Sequence, residues 1–182
     1  MRNKAVFLDR DGVICRDVNY CSRPEDLKLL PTVPQAIKLL NDHNYLTIVI
    51  TNQSGIARGY FTHKILSDIH NKMIDEFARF NARIDDIRYC PHHPDEGCNC
   101  RKPGTALFEQ AIQKHAINTK ASFMIGDEQK DIDAGRAMGC RTVLVTNSVT
   151  HKKECLLRAD YTALNLLDAV NWILTLKFHL YF

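Results

Sequence analysis

Apolar residues in this chain come in two alternating kinds of run. Ala5-Val6-Phe7-Leu8, Leu46-Thr47-Ile48-Val49-Ile50, Ala121-Ser122-Phe123-Met124-Ile125 and Thr142 to Val145 are short and nearly unbroken, as in strands buried on both faces. Ile84 to Tyr89 is a weaker run of the same kind. Between these runs the apolar spacing changes to three and four, which predicts amphipathic helices. The first follows Thr32, a candidate cap with Gln35 completing a capping box and Pro34 in the first turn; Ile37, Leu39 and Leu40 form its buried face and Asn41 to Asn44 its end. Thr62 caps a longer helix with Leu66, Ile69, Met73, Phe77 and Phe80 on one stripe, and Thr105 a third with Leu107, Phe108, Ala111 and Ile112 inward. Asp131 to Met138, stopped by Gly139, and Leu164 to Leu174, with Leu167, Val170 and Leu174 inward, complete the set. Residues 13–31 have no period and are expected to loop over the end of the first strand. The alternating apolar tail, 177–182, is expected to be an edge strand or a contact surface.

Strand and helix alternate throughout, which predicts an α/β fold: one domain over residues 1–182, with a central parallel sheet between two helical layers. Parallel strands share one C-terminal edge, and ligands bind at that edge in open α/β sheets. Here three strands end in polar groups: Asp9 and Asp11, Thr51 and Asn52, and Asp127. Charges at the end of a buried strand are costly without partners. Asp9, Asp11 and Asp127 brought together would repel one another, and a hard divalent cation with oxygen ligands, Mg²⁺, resolves this. Such a site suits phosphate chemistry, with Thr51 and Asn52 as donors and Lys102 as a fixed cation.

Composition narrows the picture. The chain has 182 residues, 25% charged and 45% hydrophobic, as in soluble globular proteins, and no apolar stretch long enough for a membrane. A net charge of +3 from 24 basic and 21 acidic residues, evenly spread, argues against nucleic acid. Asp9 comes too early for a signal-peptide core, so a cytoplasmic, monomeric protein is expected. Of seven cysteines, Cys90, Cys98 and Cys100 crowd beside His92 and His93. The pattern C-x-H-x5-C-x-C, with either histidine, supplies three thiolates and one imidazole, a closed tetrahedral set for structural Zn²⁺ that would also fix the direction of Arg101 and Lys102. Cys15, Cys21, Cys140 and Cys155 stand outside the pattern and read as ordinary thiols.

Asp9-Arg10-Asp11-Gly12, Thr51-Asn52-Gln53, Lys102-Pro103 and Gly126-Asp127-x-x-x-Asp131 resemble, in order, the four motifs of the haloacid dehalogenase-like phosphatases. The resemblance implies a Rossmann-like three-layer sandwich without a large cap domain. It implies Asp9 as nucleophile, Asp11 as general acid and base, and Thr51 and Lys102 as the phosphoryl clamp. Mg²⁺ would lie on Asp9, Asp127 and the Asp11 carbonyl. The longer segments Thr51 to Gly59, Tyr89 to Pro94 and Cys98 to Pro103 resemble the branch that acts on a heptose bisphosphate. That branch implies Zn²⁺ on Cys90, His92, Cys98 and Cys100, and a sugar phosphate contacted by Asp17, Asn19, Tyr20, Asn52, Gln53, Ser54 and Arg101. Glu128 departs from the branch, which carries Lys there, and would repel a second phosphate; Val13 stands where relatives often have Thr. Two further readings are a histidinol-phosphate phosphatase, suggested by the short gap from His92 to Cys98, and an inactive zinc-stabilised interaction module.

Overall fold

The computed structural model describes residues 2–146 and 159–176. The apolar tail and Cys155 lie outside the described residues. The strands are β1 (Lys4–Leu8), β2 (Tyr45–Asn52), β3 (Asp86–Cys90), β4 (Phe123–Gly126), β5 (Arg141–Val145) and β6 (Tyr161–Ala163). They form one six-stranded parallel sheet in the order β3-β2-β1-β4-β5-β6. The described α-helices are α1 (Val33–Asp42), α2 (His63–Ala78), α3 (Ala106–His115), α4 (Gln129–Ala137) and α5 (Leu166–Thr175).

Successive residues of a strand point to opposite faces, and both faces of this sheet are covered. Val6 and Leu8 of β1 pack with Ile37 and Leu40 of α1, Met73 and Phe77 of α2, and Val170 and Ile173 of α5. Ala5 and Phe7 pack with Leu107, Phe108 and Ala111 of α3 and Ala134 of α4 on the other side. This is why the strand sequences read as continuous apolar runs.

Several local expectations fail. Thr32 adopts the left-handed conformation (φ 65°) and its side chain caps nothing, so the expected capping box is absent. Thr105 makes no cap either; its hydroxyl donates to Glu109 at 2.7 Å. Thr62 does cap α2, accepting from the Ile65 amide at 3.2 Å. Phe80 lies beyond the end of α2 and is 50% exposed, outside the core. β6 was not foreseen, because three residues carry no readable period.

Strand order reverses beside β1: β2 lies on one side and β4 on the other. The connection from β1 runs to β2 on one side, and the chain returns from β3 to β4 on the other, which opens a crevice at the C-terminal ends of β1 and β4. Asp9 and Asp127 follow those two strands directly.

Candidate active site

Asp9 leaves β1 with its amide donating to the Ile125 carbonyl of β4 at 3.0 Å, so its carboxylate stands in the crevice. Gly12, at φ +84°, lets the two strand ends approach: a Cβ there would lie 2.0 Å from Asp127 Oδ2. Lys102 reaches the same point from the loop before α3, fully buried. Its ammonium has three donors and faces three oxygens: Asp9 Oδ1 at 2.7 Å, Asp131 Oδ1 at 2.7 Å and the Ile50 carbonyl at 2.6 Å. Burial works against the charge, but Asp131 and Asp9 outweigh it and raise the pKa above that of an ordinary lysine.

Asp131 closes the last motif, and the sequence alone implies no role for it. It is fully buried in the first turn of α4, with Oδ2 accepting from the Glu128 amide at 3.1 Å and Oδ1 on Lys102. Its link to Lys102 is an ion pair, since Oδ1 has no hydrogen-bond partner among the described residues, and that ion pair positions Lys102. Asp127 has no such ion pair among the described residues. Its Oδ1 is buried without a hydrogen-bond partner among the described residues. Burial, then Asp9, Asp131 and Glu128, push its pKa up to about 8. Acidic ligand atoms of Asp9, Asp127 and Asp131 lie within 4.8 Å of one another. One ammonium cannot neutralise both Asp9 and Asp131, and Asp127 has no cation of its own among the described residues, so negative charge is left over on the set. A hard cation between Asp9 and Asp127 fits this deficit.

Thr51 and Gln53 lie beside these groups. Gln53 Nε2 donates to Asp11 Oδ2 at 2.9 Å and to Thr51 Oγ1 at 2.8 Å, which leaves the Thr51 proton available to a phosphate oxygen. Asn52 is engaged with the Lys102 peptide, donating from Nδ2 to its carbonyl (3.2 Å) and accepting from its amide at Oδ1 (3.0 Å). Its role in the site is therefore first to hold Lys102's backbone in place.

A cleft of about 280 Å³ has Asp11, Asn52, Gln53 and Ser54 in its wall. Asp17, Asn19 and Tyr20 from the 13–31 loop line one side, as expected. Asp17 Oδ1 accepts from the Asn19 amide at 2.8 Å, and Tyr20 meets Tyr60 edge-on at 4.8 Å, which fixes the loop's rim. Glu128 lines the far side, but so does Lys130, whose ammonium lies 2.7 Å from Glu128 Oε2. The repulsion expected from Glu128 is thereby offset locally. Arg101 is not among the residues that line this cleft; its Nη1 is buried without a hydrogen-bond partner among the described residues. Val13 is fully buried in the core and makes no polar contribution.

The cysteine cluster assembles at the end of β3. Cys100 Sγ lies 3.0 Å from Cys90 Sγ, 3.5 Å from Cys98 Sγ and 3.1 Å from His92 Nδ1. A tetrahedron with Zn–S arms of about 2.3 Å has edges near ~3.8 Å; the spacings here are tighter than that, but the four ligand atoms converge on one point as such a set requires. His92 is the histidine of the set. His93 turns away, its Nδ1 accepting from the Asp95 amide at 3.3 Å. Cys15, Cys21 and Cys140 are buried free thiols, and burial pushes Cys140 up to about 12.

His70 has no motif around it that marks it in the sequence. It lies on the buried stripe of α2 between Ile69 and Met73, its Nε2 3.3 Å from Arg10 Nη1. Arg10 in turn holds Asp11 through Nη2 at 2.9 Å. The only signal in the sequence was a lone histidine on an apolar face.

The HAD-hydrolase-like family model matches residues 99–169. A D-glycero-beta-D-manno-heptose-1,7-bisphosphate 7-phosphatase of Haemophilus ducreyi is 37% identical over 95% of this chain and 100% of its own length. A D-glycero-alpha-D-manno-heptose-1,7-bisphosphate 7-phosphatase of Campylobacter jejuni is 38% identical over 85% of this chain and 87% of its own. Among solved structures, the D,D-heptose 1,7-bisphosphate phosphatase of B. bronchiseptica, complexed with magnesium and phosphate, superposes with a TM-score of 0.86 at 30% identity, covering 94% of this chain and 98% of that one.

Proposed function

Because the chain belongs to the haloacid dehalogenase-like phosphatases, and so is a hydrolase of phosphomonoesters, we propose that its substrate is D-glycero-D-manno-heptose 1,7-bisphosphate, hydrolysed at position 7. The end-to-end relation to the H. ducreyi enzyme carries this reading. The intact Asp9, Asp11, Lys102 and Asp127 speak against an inactive module. The product would be a heptose 1-phosphate, a precursor for nucleotide-activated heptose in surface-glycan synthesis such as the lipopolysaccharide core.

In this reading an Asp9 oxygen attacks phosphorus and the bond to the sugar oxygen breaks. Asp11 gives its proton to the departing alkoxide, leaving an aspartyl-phosphate. Asp11, now a carboxylate, takes a proton from water, which attacks phosphorus and releases inorganic phosphate and free Asp9. Thr51 donates to a phosphoryl oxygen, and Lys102 holds Asp9 and neutralises charge. Asp9, Asp127 and the Asp11 carbonyl would hold Mg²⁺, which supplies positive charge to the transferring phosphoryl group. Asp17, Asn19, Tyr20, Asn52, Gln53 and Ser54 would line the sugar's path. Arg101 is the cation for the second phosphate, its planar fork suited to two oxygens at once.

Phosphate release from a panel of sugar phosphates and histidinol phosphate tests the substrate. The heptose bisphosphate should be hydrolysed with the highest kcat/KM, and Arg101→Ala should lower that value far more than the value for a small monophosphate. Faster turnover of histidinol phosphate would overturn the assignment.

The cysteine cluster is proposed to hold structural Zn²⁺ on Cys90, His92, Cys98 and Cys100, since four protein ligands leave no place for water. Protein purified without chelator should carry about one zinc per chain by elemental analysis. Zinc should remain through mild Mg²⁺ removal, with activity returning when Mg²⁺ is added back. Protein purified in this way without zinc would remove the assignment.

A further inference from the structure

Arg10 has no chemical part in the reaction described, yet it is among the most buried side chains of the protein, 1% exposed. A guanidinium cannot shed its proton, so its burial is costly unless its donors are met. Nε lies 3.1 Å from Asp11 Oδ1, and Nη2 lies 3.0 Å from Oδ1 and 2.9 Å from Oδ2. The fork thus grips both oxygens of one carboxylate. Nη1 points away from Asp11 into the α2 stripe, where His70 Nε2 faces it at 3.3 Å. Arginine can only donate, so His70 Nε2 must accept, and the ring's proton is on Nδ1. Burial, then Arg10, depress the His70 pKa to about 3, which keeps the ring neutral in this role.

We propose that Arg10, seated on His70, is the positioning residue that sets the rotamer of Asp11 for its two proton transfers. Asp11 also touches Gln53 at 2.9 Å and the Cys15 thiol at 3.5 Å, but Arg10 alone grips both of its oxygens. His70 acts one step further back: it fixes the plane of the guanidinium, and the guanidinium fixes the carboxylate. The inference rests on Asp11 being the acid and base of the reaction.

Leaving-group dependence separates this role from simple support of the fold. Nitrophenolate leaves without a proton, so its burst from p-nitrophenyl phosphate reports attack by Asp9 without the acid step. His70→Leu, which fits the apolar stripe but accepts nothing, should lower kcat for the heptose bisphosphate about 10- to 100-fold at nearly constant KM. The nitrophenolate burst rate should fall by less than about threefold, since no proton is needed there. His70→Gln, whose amide oxygen can accept from Nη1, should restore most of the lost turnover. Equal losses with both substrates, or a Gln variant as damaged as the Leu variant, would overturn the proposal. If the Leu variant does not fold, ¹⁵N NMR of the wild-type imidazole decides: a bare Nε2 supports the proposal and a protonated Nε2 overturns it. Asp11→Asn serves as the control on the underlying reading. If Asp11→Asn leaves sugar-phosphate turnover intact, the acid–base assignment itself fails. If Asp11→Asn abolishes that turnover and His70→Leu does not reduce it, only the positioning role fails.

Discussion

Asp9→Asn should lower kcat for phosphate release by about 10⁴-fold or more while the protein stays folded and keeps the zinc proposed for its cysteine cluster. The carboxylate is the proposed nucleophile, and an amide of the same shape cannot form the aspartyl-phosphate. The structure explains why the fold should survive. Lys102 donates to Asp9 Oδ1 at 2.7 Å, and an asparagine oxygen can accept the same bond. The ammonium also keeps Asp131 at 2.7 Å and the Ile50 carbonyl at 2.6 Å. Removing the Asp9 charge relieves one cause of the raised Asp127 pKa, so the site loses repulsion as well as attraction. Steady-state turnover, thermal unfolding and elemental analysis on mass-verified protein check the three parts. Turnover within tenfold of wild type would rule out Asp9 as the nucleophile.

Lys102→Met should be the more damaging change, because it removes stability together with activity. Methionine replaces the stem of lysine but none of its three donors. The buried carboxylates Asp9 and Asp131 would then face each other and Asp127 with no cation. Breaking a buried ion pair by removing one partner costs about 3–5 kcal/mol. Burial and Asp9 already favour the protonated form of Asp131, while Lys102 opposes them. Without Lys102 its pKa rises further. A carboxylate whose folded pKa is raised costs stability above its unfolded value of about 4, and the cost vanishes below it. The loss in urea midpoint should therefore be large at neutral pH and shrink as pH falls toward about 4. Added Mg²⁺ should recover part of the neutral-pH loss by standing in for the missing charge. An unchanged midpoint at neutral pH would show that Lys102 does not neutralise this cluster.

The sites of both variants were legible in the chain, but their energetics were not. Asp9, Asp11, Thr51 and Asp127 could be read as polar endings of apolar runs. The cysteine–histidine cluster could be read because its members lie within residues 90–100. The partners could not be read in the same way. Asn52 and Lys102 are fifty positions apart, and Asn52's use as a brace for the Lys102 peptide depends on where the zinc-type loop returns to the sheet. Asp131 was visible as a motif residue, but its burial against Lys102 was not. Spacing alone allows His92 or His93; the family resemblance implies His92, and the turn at Asp95 engages the His93 ring.

The same division holds for local structure. Thr62 caps its helix and Thr32 does not, although both precede an apolar period. Cap residues are similar in sequence, and the direction from which the chain enters the helix selects among them. Strand identity, helix periodicity and the order of the polar strand ends are properties of neighbouring residues, because alternation and amphipathicity are set within a few positions. The sequence by itself therefore determined the parallel α/β architecture and the residues at its C-terminal edge. Tertiary structure alone decided which carboxylate stays unmet, which cation is saturated, and that a buried arginine on His70 holds Asp11. Those outcomes depend on burial and on contacts between distant segments, where the cost of an unpaired charge is greatest.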